Sequence, residues 1–211
     1  MKPCAILCLG VAGFTQTLPG SFQVGYEDGR LYGGSFAKGT TPLFNGRVQL
    51  DDNLAKGFWL GTQLTEAWGL EASVRRGTTD LIEPAPGVWA SQPKLASLDF
   101  SVLEVAVHRS YSLGRFHPYW QTGVGLATME ILTLEGANQK DRRASLGVGG
   151  GAVFWMAPWF GFRFDIRAHA IYLGSRAEGQ DQGPADLGRW LRTQEVLAGI
   201  ELSFGGIKAS L

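Results

Sequence analysis

Between residues 160 and 172 every even position is apolar or aromatic: Phe160, Phe162, Phe164, Ile166, Ala168, Ala170 and Tyr172. The odd positions hold Gly161, Arg163, Asp165, Arg167 and His169. A two-residue period separates two faces only in an extended strand; on a helix the same aromatics would scatter around the cylinder. The pattern therefore predicts a strand with one apolar and one ionised face. Trp68, Leu70, Ala72 and Val74 repeat it against Gly69, Glu71, Ser73 and Arg75. So do Trp120, Thr122, Val124 and Leu126 against Gln121, Gly123 and Gly125. Leu146, Val148, Ala152 and Phe154 interleave with Gly147, Gly149 and Gly151, and Val196, Ala198, Ile200, Leu202 and Phe204 with Gly199, Glu201 and Ser203. Segments 58–64 and 103–107 are shorter versions, the second setting Glu104 opposite its valines. A first strand falls within 22–36, where Glu27-Asp28-Gly29-Arg30 interrupts the alternation, making eight in all.

The connections carry a second signal. Residues 65–67, 113–115 and 157–158 join strands tightly, whereas 38–56, 77–98, 130–143 and 174–189 are longer, polar stretches bearing Gly or Pro. Long and short connections thus alternate. An even-stranded membrane barrel predicts that order, with short periplasmic turns and longer outer loops. The fold class expected is all-β: an antiparallel, up-and-down transmembrane barrel of eight strands.

Alternation alone does not say which face points inward. A water-soluble barrel or β-sandwich would bury the apolar face and expose a polar one dense in Lys, Glu, Thr and Ser. Here the second face is dominated by Gly with a few Arg, Glu and Asp. Charged residues make up 18% of the chain, below the ~25% usual in soluble domains, while Gly reaches 30 of 211 residues. A narrow closed barrel explains the Gly, because its crowded interior lacks room for side chains at many positions. Trp59, Trp68, Tyr119, Trp120, Trp155, Trp159 and Tyr172 lie near strand ends, as interfacial aromatics do. Lys plus Arg equals Asp plus Glu at 19 each, so no overall charge suggests nucleic acid.

Lys2 followed by the apolar run 5–12 reads as a short signal peptide over 1–13, with cleavage between 13 and 20; a buried N-terminal segment is the alternative. The barrel then occupies 21–205 and a short tail 206–211. Both cysteines, Cys4 and Cys8, fall in the leader, so no disulfide framework is expected in the mature chain.

Gly57-Phe58-Trp59-Leu60-Gly61-Thr62-Gln63-Leu64 with Ala67-Trp68-Gly69-Leu70-Glu71-Ala72-Ser73-Val74 resembles a signature of small outer-membrane barrels of the OmpA-like, OmpW-like and opacity types. His117-Pro118-Tyr119-Trp120-Gln121-Thr122-Gly123-Val124-Gly125 resembles another of their strands, and the resemblance covers nearly the whole mature chain. It implies an integral outer-membrane location, contact with outer-membrane lipid and lipopolysaccharide, and handling by the barrel-assembly machinery. Gly199, Leu202 and Phe204 resemble the insertion signal that machinery reads, although Leu197 stands where a polar residue is usual and residues follow the terminal aromatic.

Glu71, Arg75, Glu104, Arg163, Asp165, Arg167 and Glu201 are expected to face the lumen, since an Arg or Lys facing mid-bilayer lipid costs roughly 2–4 kcal/mol. They would form either a paired network filling a narrow barrel or an ion path. His108-Arg109-Ser110 is similar to a His-x-Ser pair of outer-membrane lipid A deacylases, but lacks that family's following residues. No catalytic site, metal site or cofactor is expected; Gly147–Gly151 is strand rather than phosphate loop. The outer loops, especially 77–98 with Pro84, Pro86, Trp89 and Pro93, are the expected place for a ligand, whose identity the sequence leaves open. The function expected is a structural, adhesive or surface-interaction role through those loops. A narrow pore for ions or small hydrophobic molecules is the alternative, and a membrane hydrolase the weakest.

Overall fold

The computed structural model describes residues 19–40, 45–51, 53–83, 94–133, 138–173, 185–187 and 190–205. The signal segment, the tail 206–211, and Pro84, Pro86, Trp89 and Pro93 lie outside the described residues. The described residues contain no helix. Eight long strands form the wall: β1 (Phe22–Gly33), β4 (Asn53–Gln63), β5 (Trp68–Ile82), β6 (Lys94–Ser110), β7 (Phe116–Thr133), β8 (Asn138–Ala157), β9 (Phe160–Tyr172) and β11 (Trp190–Phe204). Each pairs antiparallel with its chain neighbour in the wall, and β11 returns to pair with β1. The short strands β2 (Ser35–Thr40), β3 (Asn45–Leu50) and β10 (Ala185–Leu187) attach at the outer rim, β3 through its pairing with β5.

Closure has a definite stagger. The register leads from Phe204 to Phe22, Thr62, Leu70, Val107, Thr122, Val148, Ala168 and back to Gln194 of β11, ten residues from the start. Eight strands with such a tilt enclose an interior just wide enough for side chains to fill. Crowding is visible at Gly147, where an added Cβ would run into the Glu104 carboxylate, and at Gly25, where it would strike the Trp59 indole.

The strands outrun the stretches in which one apolar phase is legible. Much of 77–98 and 130–143 is strand rather than loop: β5 continues to Ile82, β6 begins at Lys94, β7 reaches Thr133 and β8 begins at Asn138. Segments 38–56 and 174–189 likewise contain β3, the start of β4, and β10. The reason is a reversal of polarity along the outward face of the long strands β5 to β8. On β6 the outward residues Val107, Val105 and Leu103 give way to Ser101 and Asp99, while inward His108 and Glu104 give way to Val102, Phe100 and Leu98. Leu126 and Ala127 mark the same exchange on β7. Below the exchange the outer face meets lipid; above it the outer face meets water, and apolar side chains turn inward.

On the outer face the boundary follows the hydrogen-bonding register. Tyr26, Phe58, Val74, Leu103, Leu126 and Ala144 form one row across six strands, all apolar or aromatic. Asp28, Lys56, Arg76, Ser101, Thr128 and Arg142 form the polar row two residues further out. Inside the upper barrel, Leu31, Leu81, Leu98, Phe100, Met129, Ile171 and Leu191 build a continuous core, which Val48 and Leu50 of β3 join from the rim. Each fully buried side chain of this size stabilises by roughly 1.5–3 kcal/mol.

This layering makes the cost of an outward charge depend on its row. Val105→Arg, inside the lipid-facing belt, is predicted to destabilise the protein by about 2–4 kcal/mol in urea unfolding from phospholipid vesicles, and Ser101→Arg by about 0–1 kcal/mol. Equal costs at the two positions would refute the assigned boundary.

Candidate functional site

Below the apolar core, the inward faces of five strands converge on three guanidinium groups. β9 alternates Arg163, Asp165, Arg167 and His169 toward the lumen, β5 contributes Glu71 and Arg75, and β6 contributes Glu104. Arg167 bonds to Glu71 at 2.6 Å, to Asp165 at 2.6 and 2.8 Å, and to Glu104 at 3.3 Å. Arg163 donates to Glu71 at 2.8 Å, Asp165 at 3.2 Å and the Tyr119 hydroxyl at 2.6 Å. Its guanidinium also lies 4.2 Å from the Trp59 ring centroid and 4.6 Å from that of Tyr119. Cationic guanidinium held between two aromatic faces gains electrostatic attraction in addition to its ion pairs. Arg75 reaches Glu195 at 3.4 Å, Glu27 at 3.7 Å, and Glu71 and Glu104 at 3.8 Å each.

All seven charged residues expected in the lumen are there and buried. Six are tied directly to one another, with Glu71 in contact with all three arginines. Glu201 is peripheral, making a single 3.8 Å approach to Arg163. Glu27 and Glu195 complete the cluster and escaped the sequence reading; His169, on the ionised face of its strand, joins them 3.2 Å from Glu104 and 3.8 Å from Glu195. Their phase was the available signal: Glu27 shares it with Gln23 and Gly25, and Glu195 with Gly199 and Glu201. Six carboxylates thus surround three guanidiniums, each of which presents several donors in a fixed fork suited to binding more than one acid at once.

Three aromatics depart from the interfacial role expected of them. Trp59, Tyr119 and Trp155 are 4%, 8% and 2% exposed and point into the lumen. Closeness to a strand end does not override the pleat: Trp59 is in phase with inward Gly61 and Gln63, Tyr119 with Gln121, and Trp155 with Val153. Trp68, Trp120 and Trp159 do face outward near the periplasmic end, and Tyr172 does so at the other, its ring centroid 5.0 Å from that of Trp190 with the planes tilted by 56°. Arg109 lies 5.4 Å from the Trp68 ring and 5.3 Å from that of Tyr111. Gly199 is partly buried on β11; Leu202 and Phe204 follow, Phe204 lying outward opposite Phe22.

Toward the periplasm, Gln63 bridges the His-x-Ser pair: its amide oxygen lies 3.3 Å from His108 Nε2, and its amide nitrogen donates to Ser110 at 3.5 Å. An amide in that place gives the imidazole no acidic orienting group. Gln23, Gln63, His108, Ser110 and His117 line a void of about 30 Å³, room for one water molecule. Among the described residues no group of three His, Cys, Asp or Glu is arranged to hold a metal.

A closed antiparallel sheet with a lipid-facing apolar belt and an ion-paired interior defines an integral barrel of the bacterial outer membrane. The chain belongs to the outer membrane protein β-barrel domain family, whose model matches residues 4–204. Among solved structures it resembles OprG from Pseudomonas aeruginosa, with TM-score 0.63 and 13% identity over 90% of this chain and 98% of that one. It also resembles Neisserial surface protein A, with TM-score 0.57 and 14% identity over 88% and 99%. AlkL in lipid bilayers gives TM-score 0.54 and 12% identity over 95% and 97%. At such identities the likeness is one of fold. No curated protein matches the sequence.

The network predicts unequal costs for its acids. Glu71→Leu removes the one carboxylate shared by all three buried arginines and should cost about 3–5 kcal/mol in urea unfolding from vesicles. Glu66→Leu, on the exposed 64–67 turn, should change stability by no more than about 0.5 kcal/mol. Similar losses for the two would deny Glu71 its central place.

Proposed function

We propose that this protein is a non-conducting outer-membrane scaffold that acts through the strands and loops it displays above the bilayer. The carrying observation is the doubly closed interior. Arg75, Arg163 and Arg167 with their carboxylates fill the lumen at membrane level, and the core around Leu98, Phe100 and Met129 fills it above. An ion crossing this path would have to displace hydrogen-bonded charges and then enter an apolar layer, both of which oppose conduction. What remains for interaction is the outer rim, where β2, β3 and β10 extend the wall. In this reading Gly199, Leu202 and Phe204 serve insertion by the assembly machinery rather than the mature activity, and no catalysis is assigned.

The competing pore reading is tested by refolding the protein into planar bilayers and recording at both polarities. The scaffold reading predicts no discrete conductance steps. Reproducible single-channel steps from heat-modifiable, folded protein would overturn it.

A further inference from the structure

The lipid-facing belt ends along a single register row, from Tyr26 on β1 through Phe58, Val74, Leu103 and Leu126 to Ala144 on β8. In a barrel of tilted strands such a row is not level. A rise of ~3.3 Å per residue and a tilt of ~40° give ~2.5 Å of height per residue. The ten-residue stagger then lifts a row by about 25 Å per circuit, or about 3 Å per strand. Tyr26 and Ala144, five strands apart, therefore differ in height by about 15 Å. The surface of an undisturbed bilayer is flat.

The contrast is sharpest across β11, between β1 and β9. Phe22 and Phe160 pair with Phe204 and Leu202 of β11, which sets them within about 2 Å of one level at the periplasmic end. On β9 every outward residue from Phe160 to Tyr172 is apolar or aromatic, a face about 30 Å tall. On β1 the apolar face stops at Tyr26. Asp28 and Arg30 stand exposed about 15 and 20 Å above Phe22, level with Ile166 and Ala168 of β9. Lys56 on β4 is exposed about 20 Å above Leu64. Arg30 and Lys56 have no carboxylate partner among the described residues, and Asp28 accepts a hydrogen bond from the Tyr26 hydroxyl at 3.4 Å.

The apolar band of an outer-membrane barrel is ordinarily about 25 Å tall. A bilayer of that thickness would cover Asp28, Arg30 and Lys56 with acyl chains. Tilting the whole barrel does not remove the conflict. A tilt sets the highest and lowest points half a circumference apart, whereas here they lie two strands apart. Lipid yields more readily than a charge held in hydrocarbon, and beside a short apolar wall it thins. We propose that the barrel imposes a graded thickness on the surrounding bilayer, thin beside β1 and β4 and full beside β8 and β9. The partner that the β1–β4 face fits is a bilayer thin enough for water to reach Asp28, Arg30 and Lys56. The gradient belongs to the outer wall and holds whether or not the lumen conducts.

Single cysteines test this in the full chain carrying Cys4→Ser and Cys8→Ser. Each variant is refolded in dioleoyl phosphatidylcholine vesicles, checked for heat-modifiable migration, and exposed to a water-soluble maleimide on both sides of the membrane. Asp28→Cys is compared with Ile166→Cys, and Arg30→Cys with Ala168→Cys, each pair at one height. The β1 positions should react, and the β9 positions should stay unmodified until the protein is unfolded in urea. At the periplasmic end, Phe22→Cys and Phe160→Cys should react equally. No reaction at any of the four upper positions would mean a level bilayer, and reaction at all four would lift β9 clear of lipid; either overturns the proposal. Faster reaction at 160 than at 22 would overturn it too, by showing a tilted barrel in a level bilayer. So would protection at 28 and 30 that disappears when the protein is diluted in lipid, which would assign the β1 face to a second copy of the chain.

Discussion

A strand inside a bilayer has no water to receive its N–H and C=O groups, so every one of them must be met by another strand. For this chain that constraint is satisfied by pairing β11 back onto β1, from Phe22 opposite Phe204 to Gly33 opposite Thr193. Closure with eight strands and a ten-residue stagger then fixes the width of the interior. Everything inside follows from that narrowness. Glycines such as Gly147 make room for the Glu104 carboxylate, and aromatic rings such as Trp59 fill what remains against Arg163.

Charges buried in so small a space are stable only as a mutually bonded set. Glu71 illustrates this, lying within ion-pair distance of Arg75, Arg163 and Arg167, contributed by two different strands. The network ties β9 across the lumen to the paired strands β5 and β6, a link that the sheet's neighbour-to-neighbour hydrogen bonds do not supply. The same packing that makes the wall rigid removes the passage through it. Rigidity and closure are therefore two results of one arrangement, and they direct attention to the surfaces outside the barrel.

How much of this could be read from the sequence depended on whether a strand kept one polarity phase. β9 is apolar at every outward position from Phe160 to Tyr172, and its lumenal Arg163, Asp165 and Arg167 were legible without a structure. β6 was only half legible. Its apolar residues occupy even positions at Leu98, Phe100 and Val102 and odd ones at Leu103, Val105 and Val107, so a single period fitted across both halves cancels. The upper halves of β5 to β8 consequently looked like loop. β1 was obscured differently: the belt ends early on that side, with Asp28 facing outward after only Phe22, Val24 and Tyr26, and the ionised run hid inward Glu27. The two readings weighed for the apolar face, lipid-facing or core-facing, each describe part of the molecule. The lower wall follows the first and the upper wall packs as a water-soluble barrel does.

The reversal at Val102 and Leu103 is the feature on which belt, core and closed lumen all depend, and it is directly measurable. Nitroxide labels placed singly from Leu98 to Val107 in vesicle-reconstituted protein would be probed with oxygen, which concentrates in lipid, and with a water-soluble nickel complex. The account predicts that labels at 103, 105 and 107 collide with oxygen, those at 99 and 101 with nickel, and those at 98, 100, 102, 104 and 106 with neither. A profile in which labels at 99 and 101 share the oxygen response of 103 to 107 would place the whole strand in lipid and contradict it.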